Sequence, residues 1–564
     1  MGSLMLFTRF LVLGTVYLST MGVIADSDFN WSTLLPSTKL DWKPCYSGFE
    51  CTRLIVPLDY GSAAAGNAAI AITRYPSNSS KSEYLGPVLL NPGGPGGSGV
   101  DYAVEFGAEI AAILGDGFDI VGFDPRGVSY STPTVSWFKS DAERALWIPS
   151  TQDTVYAALD ESVNAIAEQW ARAQIQGQLA EERAGEYLQY ITTDNTARDM
   201  LRITEAFGQE KLQYWGISYG SALGATFATM FPDKVGRLVI DGVLDMEAWY
   251  SANLTAQEAD TDKALQAFAD GCFAAGLDNC AFYAPSSAQI TANLQALLAS
   301  AETNPLPVVT PISYDVFGYT LLKNILLDSL YSASSFFQPL AEGLADLAKG
   351  NASTIYTSFI EAPPFECTAD SNSTSPPIPF HDNVFEAVFS IACGDAVAIN
   401  DTVPELQKFY SQAQNVSSFG DSFTTWRIAC SGWKVHRPGR FAGPIGANTS
   451  FPLLVIGNTV DPVTPISGAN KTAQAFPGSV LLTLDAIAHT SVNAPSTCVF
   501  GHLREYFVNG TLPSVGTMCT PDSPVFPSSA GNSTASGRRH LDSRSNLLKA
   551  RRTRRAIGAA RRWN

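Results

Sequence analysis

The sequence lacks the motifs that usually indicate a zinc site or a nucleotide site. Its nine cysteines form no C-x-x-C pair and H-E-x-x-H is absent, so no zinc site is predicted. The glycine-rich segment NPGGPGGSG, residues 91–99, has neither the lysine of a phosphate-binding loop nor G-x-G-x-x-G spacing. We therefore expect no metal and no other cofactor.

Positive charge is scarce outside the C-terminal tail. The net charge is −17, but residues from Arg538 onward carry ten Lys/Arg and one acid, which leaves −26 on the rest of the chain. A body this acidic repels nucleic acid and anionic membranes, so neither is an expected partner. The basic tail, residues 526–564, is predicted to be disordered or removed, with binding to a polyanion as the alternative.

Long hydrophobic runs are lacking as well. The apolar run FLVLGTVYL near the N-terminus is about half the roughly 20 residues that a membrane-spanning helix needs. Because Arg9 precedes this run and small residues ending at Ala25 follow it, residues 1–25 are predicted to be a cleaved signal peptide. Eleven N-x-[ST] sequons agree with a secreted glycoprotein that leaves the membrane after signal cleavage.

Cysteines in a secreted chain are expected to form disulfides. Three predicted pairs are close in sequence, and a fourth spans a longer stretch. The four pairs are Cys45/Cys51, Cys272/Cys280, Cys498/Cys519 and Cys393/Cys430. Cys367 is then left over.

Short apolar strands alternate with helical segments in the first half of the chain, which predicts a mostly parallel sheet with helices on both faces. The alternation stops near residue 251 and returns with strands at residues 451–457 and 478–484. This pattern predicts one sheet interrupted by a large cap. The predicted divisions are a first core part at 26–250, a cap at 251–440 and a second core part at 441–525.

The stretch YWGISYGSALGATFATMFP contains a serine between two glycines, where a predicted strand meets a helix of small residues. The G-x-S-x-G pattern is weak alone, but this position is typical of the nucleophile elbow of an α/β hydrolase. Ser218 is therefore the predicted nucleophile. The alternative is an ordinary tight turn between strand and helix.

A serine nucleophile needs a base and an acid, which in this fold follow it along the chain. Among the five histidines, His489 follows a predicted strand in VLLTLDAIAHTS and is the predicted base. His502, within a predicted helix, is its main rival, and His381 and His436 fall in the cap region.

The predicted acid is Asp461, which follows a strand in PLLVIGNTVDPVTP and would orient the imidazole. Asp241 and Asp245 follow an earlier strand and also satisfy the chain order. For the oxyanion, one predicted donor is the backbone N–H of Tyr219. The other is the N–H of Gly94 in the glycine-rich loop, with Gly93 as the alternate.

The motifs placed so far resemble those of a known family. The matching segments are CTRLIVPLDY, LLNPGGPGGSG, GFDPRGVSYS, YWGISYGSALGATFATMFPDKVGRLVIDGVLD, IACGD, PLLVIGNTVDPVTPISGA and IAHTS. In this order, between about residues 42 and 520, they resemble secreted tripeptidyl-aminopeptidase-like α/β hydrolases, which are related to prolyl aminopeptidases. The resemblance implies Ser218, Asp461 and His489 as the triad, Gly94 and Tyr219 as the oxyanion donors, and a cap before the last strands.

The chain departs from this family beside the base, where glycine usually occupies the positions of Ala488 and Thr490. The resemblance implies a secreted serine hydrolase that releases short peptides or single residues from peptide N-termini. An esterase or amidase acting on a small amide or ester is the alternative, and a hydrolase fold retained for binding is a third hypothesis. An exopeptidase must hold an α-ammonium group, for which cap carboxylates such as Glu361, Glu366 and Asp395 are candidates, although a structural role is expected for each.

Overall fold

The computed structural model describes residues 29–148, 158–361 and 383–526. The predicted signal peptide and all but the first residue of the predicted tail lie outside the described residues. Cys367, Glu366 and His381 lie outside them too.

The described residues form twelve strands. They are β1 (Lys43–Pro44), β2 (Glu50–Pro57), β3 (Asn67–Tyr75), β4 (Gly86–Asn91), β5 (Phe118–Phe123), β6 (Leu212–Ile217), β7 (Val235–Asp241), β8 (Leu306–Val309), β9 (Tyr314–Phe317), β10 (Leu454–Val460), β11 (Val480–Ile487) and β12 (Met518–Cys519).

The helices follow the same order. They are α1 (Gly99–Leu114), α2 (Asp141–Trp147), α3 (Ala165–Leu188), α4 (Thr193–Ala206), α5 (Tyr219–Met230), α6 (Met246–Tyr250), α7 (Thr261–Ala275), α8 (Ser287–Thr303), α9 (Tyr319–Leu330), α10 (Ala333–Leu347), α11 (Ser353–Phe359), α12 (Val384–Asp395), α13 (Val403–Gln414), α14 (Asp421–Gly432), α15 (Ile466–Ala475) and α16 (Thr497–Asn509).

One large sheet organises the described residues. Its strand order is β1-β2-β3-β5-β4-β6-β7-β10-β11-β12, and every neighbouring pair from β5 to β12 is parallel. Strands β1 to β3 extend one side with antiparallel pairing. Strands β4 and β5 are buried along their whole length, as expected for parallel strands that are covered on both faces.

Helices cover both faces of this sheet. On one face, α1 and α16 contribute Ile110, Leu114 and Leu503 to a core with strand residues such as Val88 and Trp215. On the other face, side chains of α4 and α5 pack with the opposite side of the same strands. The prediction of a mostly parallel sheet with helices on both faces is confirmed.

The sheet order shows where a long segment is inserted. Strands β7 and β10 are neighbours, pairing Val239 with Leu454, yet more than two hundred residues separate them in sequence. Helices α6 to α14 and the β8–β9 hairpin occupy the described part of this segment. Helix α3, which precedes the insertion, packs against α14 within it. The described residues include no helix that is long and apolar enough to span a bilayer.

Four disulfides are present in the described residues. They join Cys45 to Cys51, Cys272 to Cys280, Cys393 to Cys430, and Cys498 to Cys519, which are the four predicted pairs.

Candidate active site

Ser218 lies between the end of β6 and the start of α5, at the carboxyl edge of the sheet. Its backbone has φ 57° and ψ −121°, a conformation that side chains rarely adopt. The turn is possible because Gly216 brings no side chain: an added Cβ would lie 2.2 Å from the carbonyl oxygen of Gly220. Ser218 is partly exposed among buried neighbours. This strained, accessible turn is the geometry of a nucleophile elbow.

Asp461 and His489 are in hydrogen-bond contact in loops after β10 and β11. His489 Nδ1 lies 3.0 Å from Asp461 Oδ1 and 3.1 Å from Oδ2. The carboxylate also accepts backbone N–H bonds from Val463, Thr464 and Thr490 at 2.9–3.1 Å. Asp461 is fully buried and His489 is nearly so. Because its oxygens are held by these donors, the carboxylate can orient the imidazole and stabilise its charged form.

The elbow and the histidine loop meet at the end of β7. The Ser218 N–H donates to the carbonyl oxygen of Asp241 at 2.8 Å. The next residue, Gly242, is close to the imidazole, since a Cβ added there would lie 3.3 Å from His489 Cε1. Ser218, Asp461 and His489 therefore share the carboxyl edge of β6, β7, β10 and β11, although their catalytic roles stay predictions.

The alternative acids are engaged elsewhere, and the alternative bases lie on other segments. Asp241 accepts hydrogen bonds from Ser491, and Asp245 caps α6 and pairs with Lys471. His502 lies on α16, and His436 is half-buried in the segment after α14. His502 Nδ1 or Nε2 lies within 4.8 Å of the sulfurs of Cys498 and Cys519, but both sulfurs belong to a disulfide and are not metal ligands.

The glycine-rich loop lies directly against the elbow. A Cβ added at Gly93 would lie 2.8 Å from Ser218 Cβ and 3.3 Å from the backbone nitrogen of Tyr219. The Gly93 N–H donates to Asn91 Oδ1 at 3.1 Å. Because that N–H is already engaged, the geometry favours Gly94 over Gly93 as the partner of Tyr219 in an oxyanion hole, a role that stays a prediction.

Two family matches cover parts of the chain. The family described as alpha/beta hydrolase fold matches residues 86–277, and the family described as TAP-like protein matches residues 414–519. The first match contains the elbow and the glycine-rich loop, and the second contains the Asp461 and His489 loops. The predicted fold class is confirmed. The chain has the α/β-hydrolase fold and resembles tripeptidyl-aminopeptidase-like hydrolases.

Curated relatives agree with this assignment. A tripeptidyl aminopeptidase of Streptomyces coelicolor is 28% identical over 508 residues, covering 86% of this chain and 87% of the relative. The serine protease Hip1 of Mycobacterium tuberculosis is 28% identical over 497 residues, covering 85% and 91%. A carboxylesterase B of the same species is 28% identical over 486 residues, covering 84% and 86%. These findings identify the chain as a serine hydrolase.

Thr490 is strained where relatives of this hydrolase were expected to carry glycine. Its φ is 66°, in the left-handed region that strongly disfavours β-branched residues. Its N–H donates to Asp461 Oδ2, and the carbonyl oxygens of Ala488 and Thr490 both accept from Asn458 Nδ2. The loop conformation is therefore imposed by its buried hydrogen bonds rather than by the residue type.

Several neighbours of His489 were not predicted from the sequence. Thr464 Oγ1 lies 3.0 Å from His489 Nδ1, and the His489 N–H donates to the carbonyl oxygen of Tyr331 at 2.9 Å. The Tyr331 ring meets the imidazole edge-on at a centroid distance of 5.0 Å. Thr464 follows Asp461 by three residues, so the same sequence motif could have indicated it. Tyr331 belongs to the turn between α9 and α10, which no local pattern connects to the base.

The candidate carboxylates for a substrate ammonium group differ in their surroundings. Asp395 at the end of α12 is buried and accepts hydrogen bonds from the Thr193 N–H and hydroxyl and from Trp249 Nε1. Burial raises the pKa of Asp395 to about 6, and the hydrogen bonds oppose that rise. These contacts describe a structural carboxyl. Glu361 is partly exposed beyond α11.

Proposed function

We propose that this hydrolase is a secreted aminopeptidase that releases short peptides or single residues from peptide N-termini through an acyl-enzyme. The observation that carries the proposal is the buried Asp461–His489 pair beside the strained turn of Ser218. Names of curated relatives, a tripeptidyl aminopeptidase and a serine protease, support a peptide substrate. Four disulfides and the predicted signal peptide support export.

The proposed reaction has two halves, formation and hydrolysis of the acyl-enzyme, and the same residues act in both. Ser218 Oγ attacks the scissile carbonyl while His489 Nε2 takes its proton, and the backbone N–H groups of Gly94 and Tyr219 hold the oxyanion. The imidazolium passes the proton to the leaving amine, and the N-terminal fragment remains esterified to Ser218. Water activated by His489 then cleaves the ester and restores the hydroxyl. Asp461 fixes the tautomer and stabilises the imidazolium throughout.

The first test concerns the nucleophile. We expect Ser218→Ala to abolish turnover of a tripeptidyl-arylamide and labelling by a fluorophosphonate probe, because no hydroxyl remains to form the covalent bond. Thermal unfolding of the variant checks that the fold is kept. An S218A protein that turns over substrate at the wild-type rate would refute the mechanism.

A second candidate function is an esterase, which the carboxylesterase B relative favours. Three substrates separate the two: a tripeptidyl-arylamide, the same compound with its amino group acetylated, and a short-chain p-nitrophenyl ester. An aminopeptidase loses most of its activity when the amine is blocked, because the ammonium contributes to binding. An esterase cleaves the p-nitrophenyl ester well and both arylamides poorly.

A further inference from the structure

Asp241 is a buried carboxyl that the proposed triad does not use, although it lies between two of its members. It is the last residue of β7, its side chain is fully buried, and its backbone pairs with Ile217 of β6 and Ile456 of β10. Its carbonyl oxygen accepts the Ser218 N–H at 2.8 Å. The backbone of Asp241 is thus part of the support for the elbow.

The side chain of Asp241 holds the loop of the proposed base. Oδ1 accepts the Ser491 N–H at 2.9 Å, and Oδ2 accepts the Ser491 hydroxyl at 2.6 Å. Ser491 follows His489 by two residues and begins the 3-10 turn Ser491–Asn493. Asn493 Nδ2 in turn donates to the His489 carbonyl oxygen at 2.7 Å. One residue therefore connects the elbow, through its main chain, to the histidine loop, through its side chain.

Charge gives Asp241 a second effect. The groups that face its carboxyl are His489 and Ser491 from the loop after β11, Trp215 from β6 and Tyr102 from α1. Burial raises the pKa of Asp241 to about 6, and the Ser491 hydrogen bonds and the charge of His489 oppose the rise. Above about pH 6 the carboxyl is ionised. A carboxylate that interacts with His489 through its charge favours the charged form of the imidazole.

We propose that Asp241 is a positioning residue of the reaction, which sets the His489 loop against Ser218 and adds a second buried negative charge that stabilises the imidazolium. This inference rests on the proposed function. Asp461 contacts the imidazole directly, whereas Asp241 acts on it through Ser491 and through space. The two carboxylates would thus share the charge stabilisation that a serine hydrolase usually obtains from one.

Two variants separate the charge of Asp241 from its hydrogen bonds to Ser491. Asp241→Asn keeps the shape and both contacts, because Oδ1 can accept the Ser491 N–H and Nδ2 can donate to Ser491 Oγ, but it removes the charge. Ser491→Ala keeps the charge and the N–H bond but removes the hydroxyl. Asp485→Asn, an exposed carboxyl on β11, is the matched control for a general loss of negative charge.

The measurement is the pH profile of kcat/KM on a substrate that the wild-type protein cleaves, the tripeptidyl-arylamide or p-nitrophenyl acetate. We expect D241N to lower kcat/KM at pH 8 by about tenfold, because the imidazolium formed during attack loses part of its stabilisation. Its acidic limb should move to lower pH by about half a unit, since a base without the neighbouring anion loses its proton more readily. S491A should lower kcat without this shift, and D485N should match the wild type.

The outcomes are distinct. A D241N profile that superimposes on the wild type refutes the role of Asp241, provided that S218A is inactive. If S218A retains turnover, the proposed function itself fails, whatever D241N does. If D241N does not fold, S491A decides alone. A wild-type kcat in that variant refutes the proposal that the hydrogen bond between Ser491 and Asp241 positions the His489 loop. An acidic limb that moves equally in D485N also refutes the proposal.

Discussion

Individual residues at this site adopt backbone conformations that their side chains disfavour. Ser218 and Thr490 both have positive φ, and both are flanked by buried hydrogen bonds that hold them there. Such strain costs roughly 1–3 kcal/mol per residue and persists only where the surroundings impose it. Its presence on both the proposed nucleophile loop and the proposed base loop is consistent with a preorganised site.

Gly93 offers a test at this scale. With φ 102° and an added Cβ only 2.7 Å from the Ile217 carbonyl oxygen, alanine at this position would push the glycine-rich loop away from the elbow. We expect Gly93→Ala to reduce kcat about 100-fold or more, the effect of losing an oxyanion donor, with a smaller change in KM. Unchanged kcat in a folded G93A protein would show that the loop does not line the reacting carbonyl.

At the scale of elements, the segment inserted between β7 and β10 makes direct contacts with the core. The turn between α9 and α10 contacts the histidine loop, where Ser332 pairs with Ala488 and its hydroxyl donates to the Asn493 carbonyl oxygen. Helix α3 meets α14 with its backbone in contact, since an added Cβ at Gly177 would lie 1.8 Å from the Gly432 carbonyl oxygen. The inserted helices therefore support the site instead of only covering it.

The α3–α14 contact predicts a difference between two glycines of one helix. Gly177→Ala should destabilise the protein by about 1–3 kcal/mol, because the helices must separate to admit the methyl group. A Cβ added at Gly185 on the same helix would lie 3.8 Å from its nearest neighbour, a methyl carbon of Val435. Gly185→Ala should therefore be neutral, or stabilise the protein by up to about 1 kcal/mol through helix propensity. Chemical denaturation of both variants measures the difference. Equal stabilities would contradict the tight crossing.

At the scale of the whole molecule, buried carboxyls give an unusual pH dependence. Burial raises the pKa of Glu258 to about 8, that of Asp124 to about 7, and those of Asp241 and Asp395 to about 6. The native state thus holds protons that the unfolded chain has released above about pH 4.5. Stability from these groups is fully present at acidic pH and is lost as the pH rises toward 8.

Glu258, at the end of the 3-10 turn Thr255–Glu258, provides the test. Its carboxyl is buried and accepts the Ser422 hydroxyl, and glutamine imitates its neutral form. For one such group, stability falls by about 1.4 kcal/mol per pH unit between its two pKa values. We expect the wild-type Tm to fall from pH 5 to pH 9, and Glu258→Gln to become increasingly stabilising relative to wild type over that range.

The control for this experiment is Glu109→Gln, on an exposed position of α1. Its Tm should follow the wild type at every pH. A constant difference in Tm between E258Q and wild type would mean that Glu258 does not change its protonation on unfolding.

Local patterns in the sequence determined the elements and their order. Apolar runs followed by loop residues predicted β4, β6, β7, β10 and β11, because the alternation of strand and helix depends on residues close together in the chain. The same reasoning put Ser218 on a strand–helix turn and His489 and Asp461 after later strands. Asp461 was the predicted partner of the imidazole, and Asp241 and Asp245 were alternatives that also satisfy the chain order.

The tertiary structure decided which aspartate contacts the imidazole and which residues surround the base. Asp461 contacts His489 because β10 and β11 are neighbours. Asp241 contacts Ser491 from β7, which lies on the opposite side of β10 from β11. Tyr331, Ser332 and the Gly177–Gly432 crossing depend on contacts between segments 150 or more residues apart. The sequence by itself predicted the fold and the candidate reacting side chains, because hydrophobic period and turn chemistry are local. Only packing between distant segments decided what holds those side chains in place.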